Sequence, residues 1–279
     1  MIEQLRAKAK EILEKGDASV IIGYGRGSRE DVATPVFITD SARIDEMVFN
    51  PHCYNNLMTF VTRDDHKRLG TPAVVAKECD MKAAIVLAQE DQVKEDGMLL
   101  LSVSCEEMGR ADAACRFNGV MTIPQAEEWL KQNYLPAELT PEKLARVEEI
   151  EKMPAQERWA FWSKEFERCI RCYACRQACP MCYCRQCIVE KNQPQWLSTS
   201  AHPAGNMAWN IVRAFHLAGR CVDCGECERA CPMDIPLVSL NRAIQKEVKS
   251  AFDYVSGYDH AGKPVMATFR KDDEEDFIK

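Results

Sequence analysis

Eleven of the chain's fifteen cysteines fall between Cys169 and Cys231, and their spacing constrains the fold more than any other feature. The stretch opens with Cys169-Ile170-Arg171-Cys172-Tyr173-Ala174-Cys175-Arg176-Gln177-Ala178-Cys179-Pro180. It closes with Cys221-Val222-Asp223-Cys224-Gly225-Glu226-Cys227-Glu228-Arg229-Ala230-Cys231-Pro232. Each is the run C-x2-C-x2-C-x3-C-P, the spacing by which thiolates wrap a cubane [4Fe–4S] cluster. The short spacers let three sulfurs from one turn face the same cluster. The longer gap carries the fourth cysteine away, and the proline after it stops the chain from continuing as a helix. Where two such runs occur together, that fourth cysteine ligates the other cluster. The expected sets are therefore Cys169, Cys172, Cys175 and Cys231 for one cluster, and Cys221, Cys224, Cys227 and Cys179 for the second. A C-x2-C pair taken alone suggests zinc. Two complete runs ending in Cys-Pro favour electron transfer over zinc or a disulfide scaffold.

The bulk numbers narrow the setting. At 279 residues the chain has room for one large or two modest domains. A net charge of −7 argues against a nucleic-acid partner, which favours a basic face. Cysteine-rich secreted scaffolds are short and follow a signal peptide. Here the start, Met1-Ile2-Glu3-Gln4-Leu5-Arg6, reads as an amphipathic helix without an apolar leader segment. No stretch has the apolar length needed to span a bilayer. The expectation is a soluble protein of a reducing compartment, hence cytoplasmic, and clusters of this kind suggest an anaerobic host.

Upstream of the cysteines the pattern changes. Leu5, Ala9, Ile12 and Leu13 form a helical stripe over residues 3–15 that ends at Gly16. Short apolar runs at 18–24, 35–39, 72–77 and 98–104 read as strands, with helical segments between them, and predict a parallel βαβ sheet. The glycines of Gly23-Tyr24-Gly25-Arg26-Gly27 read as a flexible turn or a phosphate-approaching loop, but the dinucleotide fingerprint is absent. Residues 49–57 are dense in turn formers and polar side chains that line a site or cap the next helix. Cys79 and Cys105 each follow a strand, where open α/β sheets place ligands. The alternative for both is a small buried hydrophobe, which is also the reading for Cys115.

Phe49-Asn50 with Asn55-Asn56-Leu57, then Lys77-Glu78-Cys79-Asp80, Gln89-Glu90-Asp91-Gln92 and Val103-Ser104-Cys105 carry a likeness. Over roughly residues 15–110 the chain resembles the N-terminal region of the coenzyme F420 hydrogenase/formate dehydrogenase β-subunit family. That resemblance implies FAD binding and electron passage between clusters and a hydride carrier. The family pattern is not evident after about residue 120. The cysteine-rich half resembles the α-helical dicluster ferredoxin domains of heterodisulfide reductase C subunits and succinate dehydrogenase iron–sulfur subunits.

Thr140-Pro141-Glu142 starts a helix with a capping threonine and a first-turn proline. Trp159, Trp162 and Phe166 recur at helical spacing ahead of the first cysteine run and read as packing. Between the runs, Met207, Ile211, Phe215 and Ala218 mark a helix face, as do Leu237, Leu240, Ile244 and Val248 after the second. Cys182, Cys184 and Cys187 lie outside both runs. They supply most of a third metal site, zinc or a further cluster, or one of them replaces a ligand named above. Cys53, Cys79, Cys105 and His202 are candidates for a fourth ligand. Arg171, Arg176 and Arg185 either stabilise charge on a cluster or pair with acids. The acidic run Asp272–Asp276 reads as a solvated face or a docking tail.

The expected architecture is an α/β domain with a parallel sheet over 1–135, a helical linker over 136–168, a mainly α-helical dicluster ferredoxin domain over 169–250, and a tail over 251–279. The expected function is an iron–sulfur electron-transfer subunit of a larger anaerobic oxidoreductase complex, not a stand-alone catalyst. Its partners would be a flavoprotein, a hydrogenase, a formate dehydrogenase or a heterodisulfide-reductase-like subunit. The alternative is a flavin-containing F420/NAD(P)H-type dehydrogenase β subunit that converts hydride into single electrons.

Overall fold

The computed structural model describes residues 1–105, 114–134 and 139–267. The acidic run Asp272–Asp276 lies outside them. The first half is built on a five-stranded sheet of order β2-β1-β3-β4-β5. Its strands are β1 (Val20–Arg26), β2 (Ala33–Ile38), β3 (Pro72–Ala76), β4 (Leu99–Cys105) and β5 (Cys115–Met121). The central strands β1, β3 and β4 run parallel, as the sequence predicts. The two outer strands are antiparallel. The link between β1 and β2 is a few residues, too short for a crossover, so β2 returns as a hairpin partner.

Strands β3 and β4 are apolar almost throughout because both faces are covered. Helix α1 (Ile2–Lys15) buries Leu5, Ala9 and Ile12, then ends where Gly16 takes a left-handed φ of 75°. Helix α2 (Glu78–Gln89) and helix α3 (Ile123–Tyr134) pack on one another beside the sheet. The glycine-rich stretch is not a loose turn. Gly23 and Gly25 lie inside β1, and a side chain on Gly25 would strike Val36 at 2.5 Å. These glycines let the hairpin close tightly.

Helix α4 (Pro141–Glu151) begins as its sequence predicts, with Thr140 Oγ1 accepting the Lys143 N–H. Helix α5 (Ala155–Glu167) follows, and only part of its aromatic stripe packs. Phe166 is buried and Trp162 stacks on it, while Trp159 is 62% exposed. The cysteine-rich half contains two short helices, α6 (Ala174–Ala178) and α8 (Glu226–Arg229), one inside each cysteine run. Two long ones, α7 (Pro203–His216) and α9 (Leu237–Phe252), frame them.

The buried face of α7 differs from the expected apolar one. Phe215 is 58% exposed, whereas Asn206, Trp209, Asn210 and Arg213 are buried. On α9, Asn241 is buried between Leu237 and Val248. Polar donors face inward here because the interior of this half is lined with cysteine sulfur and backbone carbonyls that need them. The core of the sheet region runs without a break into Met181, Leu217, Val222 and Tyr258. A second core gathers Phe166, Cys175, Val189, Trp209, Cys227, Ile235 and Leu237. Among the described residues no helix is long and apolar enough to cross a membrane.

Candidate functional site

The two cysteine runs adopt the same backbone path. In the first, Arg171 and Tyr173 have φ of 57° and 59°; in the second, Asp223 and Gly225, at the same offsets, have 54° and 75°. Only one of these four positions is glycine. Left-handed φ at the other three is costly and persists where the surroundings impose it. The reversals turn successive cysteines toward a common interior.

Two small cavities result. One is lined by Cys169, Cys172, Cys175 and Cys231, with Trp209 and Asn210 of α7 and Leu237 of α9. The other is lined by Cys179, Cys221, Cys224 and Cys227, with Met181, Val238 and Asn241. Each cavity thus meets three cysteines of one run and the last cysteine of the other. A donor set of four thiols around an otherwise apolar space suits a [4Fe–4S] cube, whose iron atoms each take one protein sulfur.

Side chains from the long helices pin these loops. Asn206 Nδ2 donates to the Cys169 carbonyl at 2.7 Å, Arg213 Nη2 to that of Cys175 at 3.0 Å, and Gln245 Nε2 to that of Cys221 at 2.7 Å. Asn241 Nδ2 donates to Cys227 Sγ at 3.5 Å. Burial pushes the free Cys227 thiol up to about 12. A hydrogen bond from Cys182 draws Cys179 down to about 6 against its burial. Loading a metal therefore has to displace the proton of a buried thiol such as Cys227.

Of the extra cysteines, Cys182 and Cys184 line one open cavity together with Cys179, and Cys187 does not line it. Cys182 packs beside Cys179 against the first core, Cys187 packs against the second core, and Cys184 is exposed. Among the described residues no three Cys, His, Asp or Glu side chains converge on the position of a single ion. A lone zinc needs its sulfurs about 2.3 Å from one point, a condition that no such group meets among the described residues. His202 accepts the Gly205 N–H through Nδ1 and caps α7. Cys53 is buried and accepts the Asn50 N–H. Cys79 opens α2, where burial and then Asp80 push its thiol up to about 12. Cys105 and Cys115 sit opposite one another across β4 and β5, their sulfurs 2.7 Å apart.

The three arginines singled out from the sequence have partners. Arg176 pairs with Glu190 and Arg185 with Asp64, while Arg171 donates to the carbonyls of Gly205 and Ser198. Arg213, not singled out, is also buried beside the cysteines, as Arg171 is. An arginine inside a helix otherwise patterned by apolar residues gave no signal at the level of spacing.

The sheet region docks on the second cavity's side. Asn55 Nδ2 donates to Glu226 at 3.3 Å, Thr59 Oγ1 to the Ala178 carbonyl at 2.9 Å, and Tyr183 and Arg220 both bond Glu90. Asn55 is held in turn by a buried network. Its carbonyl accepts from Lys77 Nζ and Tyr24 Oη, and Lys77 pairs with Asp80 at 2.8 Å. Burial works against the Lys77 charge, but Asp80 outweighs it and holds the ammonium well above the ordinary lysine range. Between the two halves runs a groove of about 480 Å³, lined by Lys82, Tyr134, Leu144, Val248, Tyr254 and Cys221 among others. Cys221 lines both this groove and the second cavity.

Residues 168–236 match the family described as 4Fe-4S dicluster domain. The chain is also similar to two curated proteins. The F420-dependent formate dehydrogenase subunit beta of Methanocaldococcus jannaschii is 35% identical over 116 residues, which is 42% of this chain and 29% of that protein. The F420-dependent formate dehydrogenase 1 subunit beta of Methanococcus maripaludis is 34% identical over 116 residues, 42% of this chain and 28% of that protein. The chain spans less than a third of the length of either. It combines an N-terminal region resembling these β subunits with a dicluster [4Fe–4S] domain, an assembly of the electron-transfer, oxidoreductase-related type.

Proposed function

We propose that the chain is an electron-transfer component of an oxidoreductase complex and acts as a β-type subunit akin to those of F420-dependent formate dehydrogenases. One cluster would be held by Cys169, Cys172, Cys175 and Cys231, the other by Cys179, Cys221, Cys224 and Cys227. The observation that carries this reading is the lining of the two cavities, each with four thiols contributed three and one by the two runs. When bound, the clusters supply one-electron carriers between partner redox sites. The chain's own residues hold the loops through Asn206, Arg213 and Gln245, exclude water with Trp209, Met181 and Leu237, and donate to Cys227 from Asn241. The long helices α7 and α9 around the runs are in keeping with a heterodisulfide-reductase-C-like helical domain. We read 1–135, 136–168, 169–250 and 251–279 as the working divisions, and the cytoplasm as the location.

A flavin-containing reading is favoured by one further observation. The groove at the junction of the two halves is within the size of cofactor pockets, carries Tyr134, Tyr254 and Lys82, and shares Cys221 with a cluster cavity. The names of the relatives also point to F420-linked hydride chemistry. A flavin in that groove would let the chain split a hydride into single electrons.

Anaerobic purification followed by iron, sulfide and EPR analysis tests the main reading. Two reducible [4Fe–4S] signals per chain are expected, and fewer than one cluster's worth of iron after reconstitution would sink it. Titration with FAD, followed by addition of reduced F420, tests the second. Quenched flavin fluorescence with cluster bleaching supports it, and an unchanged spectrum rejects it.

A further inference from the structure

We propose that Arg213 is a positioning residue for both clusters, a fixed positive charge buried beside cysteines of both runs that stabilises the reduced state of each. The inference rests on the cluster reading above and extends it to a residue outside both cysteine runs.

The guanidinium is buried, and Nη2 donates to the Cys175 carbonyl at 3.0 Å. Cys175 belongs to the first cavity. Cys227, which belongs to the second, packs in the same core as Cys175, and the guanidinium is coupled electrostatically to Cys227, Cys179 and Cys182. Its Nε is buried with no hydrogen-bond partner. Among the described residues no carboxylate pairs with it, unlike Arg176, Arg220, Arg229 and Arg242, each of which has an acid.

A buried cation without a counter-ion is too costly to persist. The negative charge it needs has to come from its surroundings, and those surroundings are cysteines. Four thiolates on a cluster core leave a net anion, and reduction adds one more negative charge to it. A fixed cation in a low-dielectric interior favours that added charge, which raises the potential. Because its charge is coupled to cysteines of both cavities, one substitution acts on two clusters. Asn241 donates to Cys227 alone, so its influence stays local.

The test is anaerobic redox potentiometry followed by EPR on the full chain, with Arg213→Gln, Arg213→Met and Arg213→Lys beside the parent. In loaded Gln or Met variants both clusters become harder to reduce, by at least tenfold in the reduction equilibrium, about 59 mV for one electron. Arg213→Lys keeps the charge and holds both potentials within threefold of the parent. If the neutral variants fold by circular dichroism but do not load iron while the Lys variant does, the charge requirement is equally supported. Loaded neutral variants with both potentials within twofold of the parent overturn the proposal. So does a Lys variant that shifts as far as the neutral ones or loses its clusters with them, since shape and not charge would then be the cause. A parent protein without clusters would instead defeat the underlying cluster reading, so the two failures are distinguishable.

Discussion

Asp80 should be the costliest single carboxylate to remove from the sheet region. Its side chain is fully buried and does three things at once. It pairs with Lys77 Nζ at 2.8 Å, accepts the Lys77 N–H at 3.0 Å, and accepts the Leu57 N–H at 2.6 Å. Asp80→Ala leaves a buried ammonium with only Tyr24 Oη and the Asn55 carbonyl as neighbours, and orphans two backbone N–H groups. Breaking a buried ion pair by removing one partner costs about 3–5 kcal/mol. Each orphaned N–H costs about 1–3 kcal/mol, and these terms overlap, so about 4 kcal/mol is the expected loss. At about 2–4 °C per kcal/mol for a chain of this size class, the melting temperature falls by roughly 8–16 °C. Asp80→Asn retains one acceptor and should lose about half as much. The double variant Lys77→Met/Asp80→Ala removes the stranded charge and should be less destabilised than the sum of the singles by about 0.5–3 kcal/mol. Thermal unfolding followed by far-UV circular dichroism under anaerobic conditions reads all four. An Asp80→Ala loss below about 1 kcal/mol, a shift of roughly 2–4 °C, or strict additivity in the cycle, would refute the reasoning.

Three further outcomes follow from the site. Cys179→Ala should perturb the EPR signal of the cluster served by Cys221, Cys224 and Cys227, and Cys231→Ala the other; a disturbance confined to the mutated run's own cluster would defeat the crossed ligation. Stripping iron with a chelator after oxidation should raise amide hydrogen exchange across 169–235 while β1, β3 and β4 stay protected, because the loops there depend on the metal for compactness; uniform exchange in both halves would contradict this. Cys105 and Cys115 face each other across an antiparallel pair, a register whose Cα spacing admits a disulfide. Incubation with glutathione disulfide should therefore oxidise both thiols to one bond and release two glutathione thiols, read as the loss of two alkylation sites by mass spectrometry; retention of both sites counts against it.

The parts of the fold that are legible in the sequence are those where one kind of side chain dominates a stretch. Four apolar runs became β1 to β4, and the two cysteine runs became the two loops whose thiols line the small cavities. Strand β5 was not legible. Cys115-Arg116-Phe117-Asn118-Gly119 is polar and broken by a glycine of φ 117°, as suits a half-exposed edge strand whose register shifts at Ser102 and Val103. Helix α3 did carry a signal, since Ile123, Ala126 and Leu130 recur at helical spacing and are all buried. On α7 the apolar periodicity pointed to the wrong face. Phe215 is left in solvent while Asn206, Asn210 and Arg213 turn inward, because a cavity of sulfur and carbonyl groups draws donors that hydrophobicity cannot forecast. The close approach of Glu90 to Tyr183 and Arg220 depends on residues about ninety or more positions away, which no local pattern contains.

The two cysteine runs share their left-handed turns, yet their surroundings differ, and that difference sets an order for electrons in the proposed reading. The cavity of Cys179, Cys221, Cys224 and Cys227 abuts the sheet region through Asn55 and Glu226, and shares Cys221 with the groove between the halves. The cavity of Cys169, Cys172, Cys175 and Cys231 backs onto the second core, and Ile170 in its wall is 55% exposed. An electron exchanged with a ligand in the groove therefore meets the second run's cluster first and the first run's cluster next. Arg213 stands where the two steps join, bonded to the carbonyl of Cys175 on one side and acting on Cys179 and Cys227 on the other. A charge placed there shifts both potentials in the same direction. It thus changes how readily the pair accepts electrons while altering the gap between them less, which leaves the direction of flow to the partners at either end.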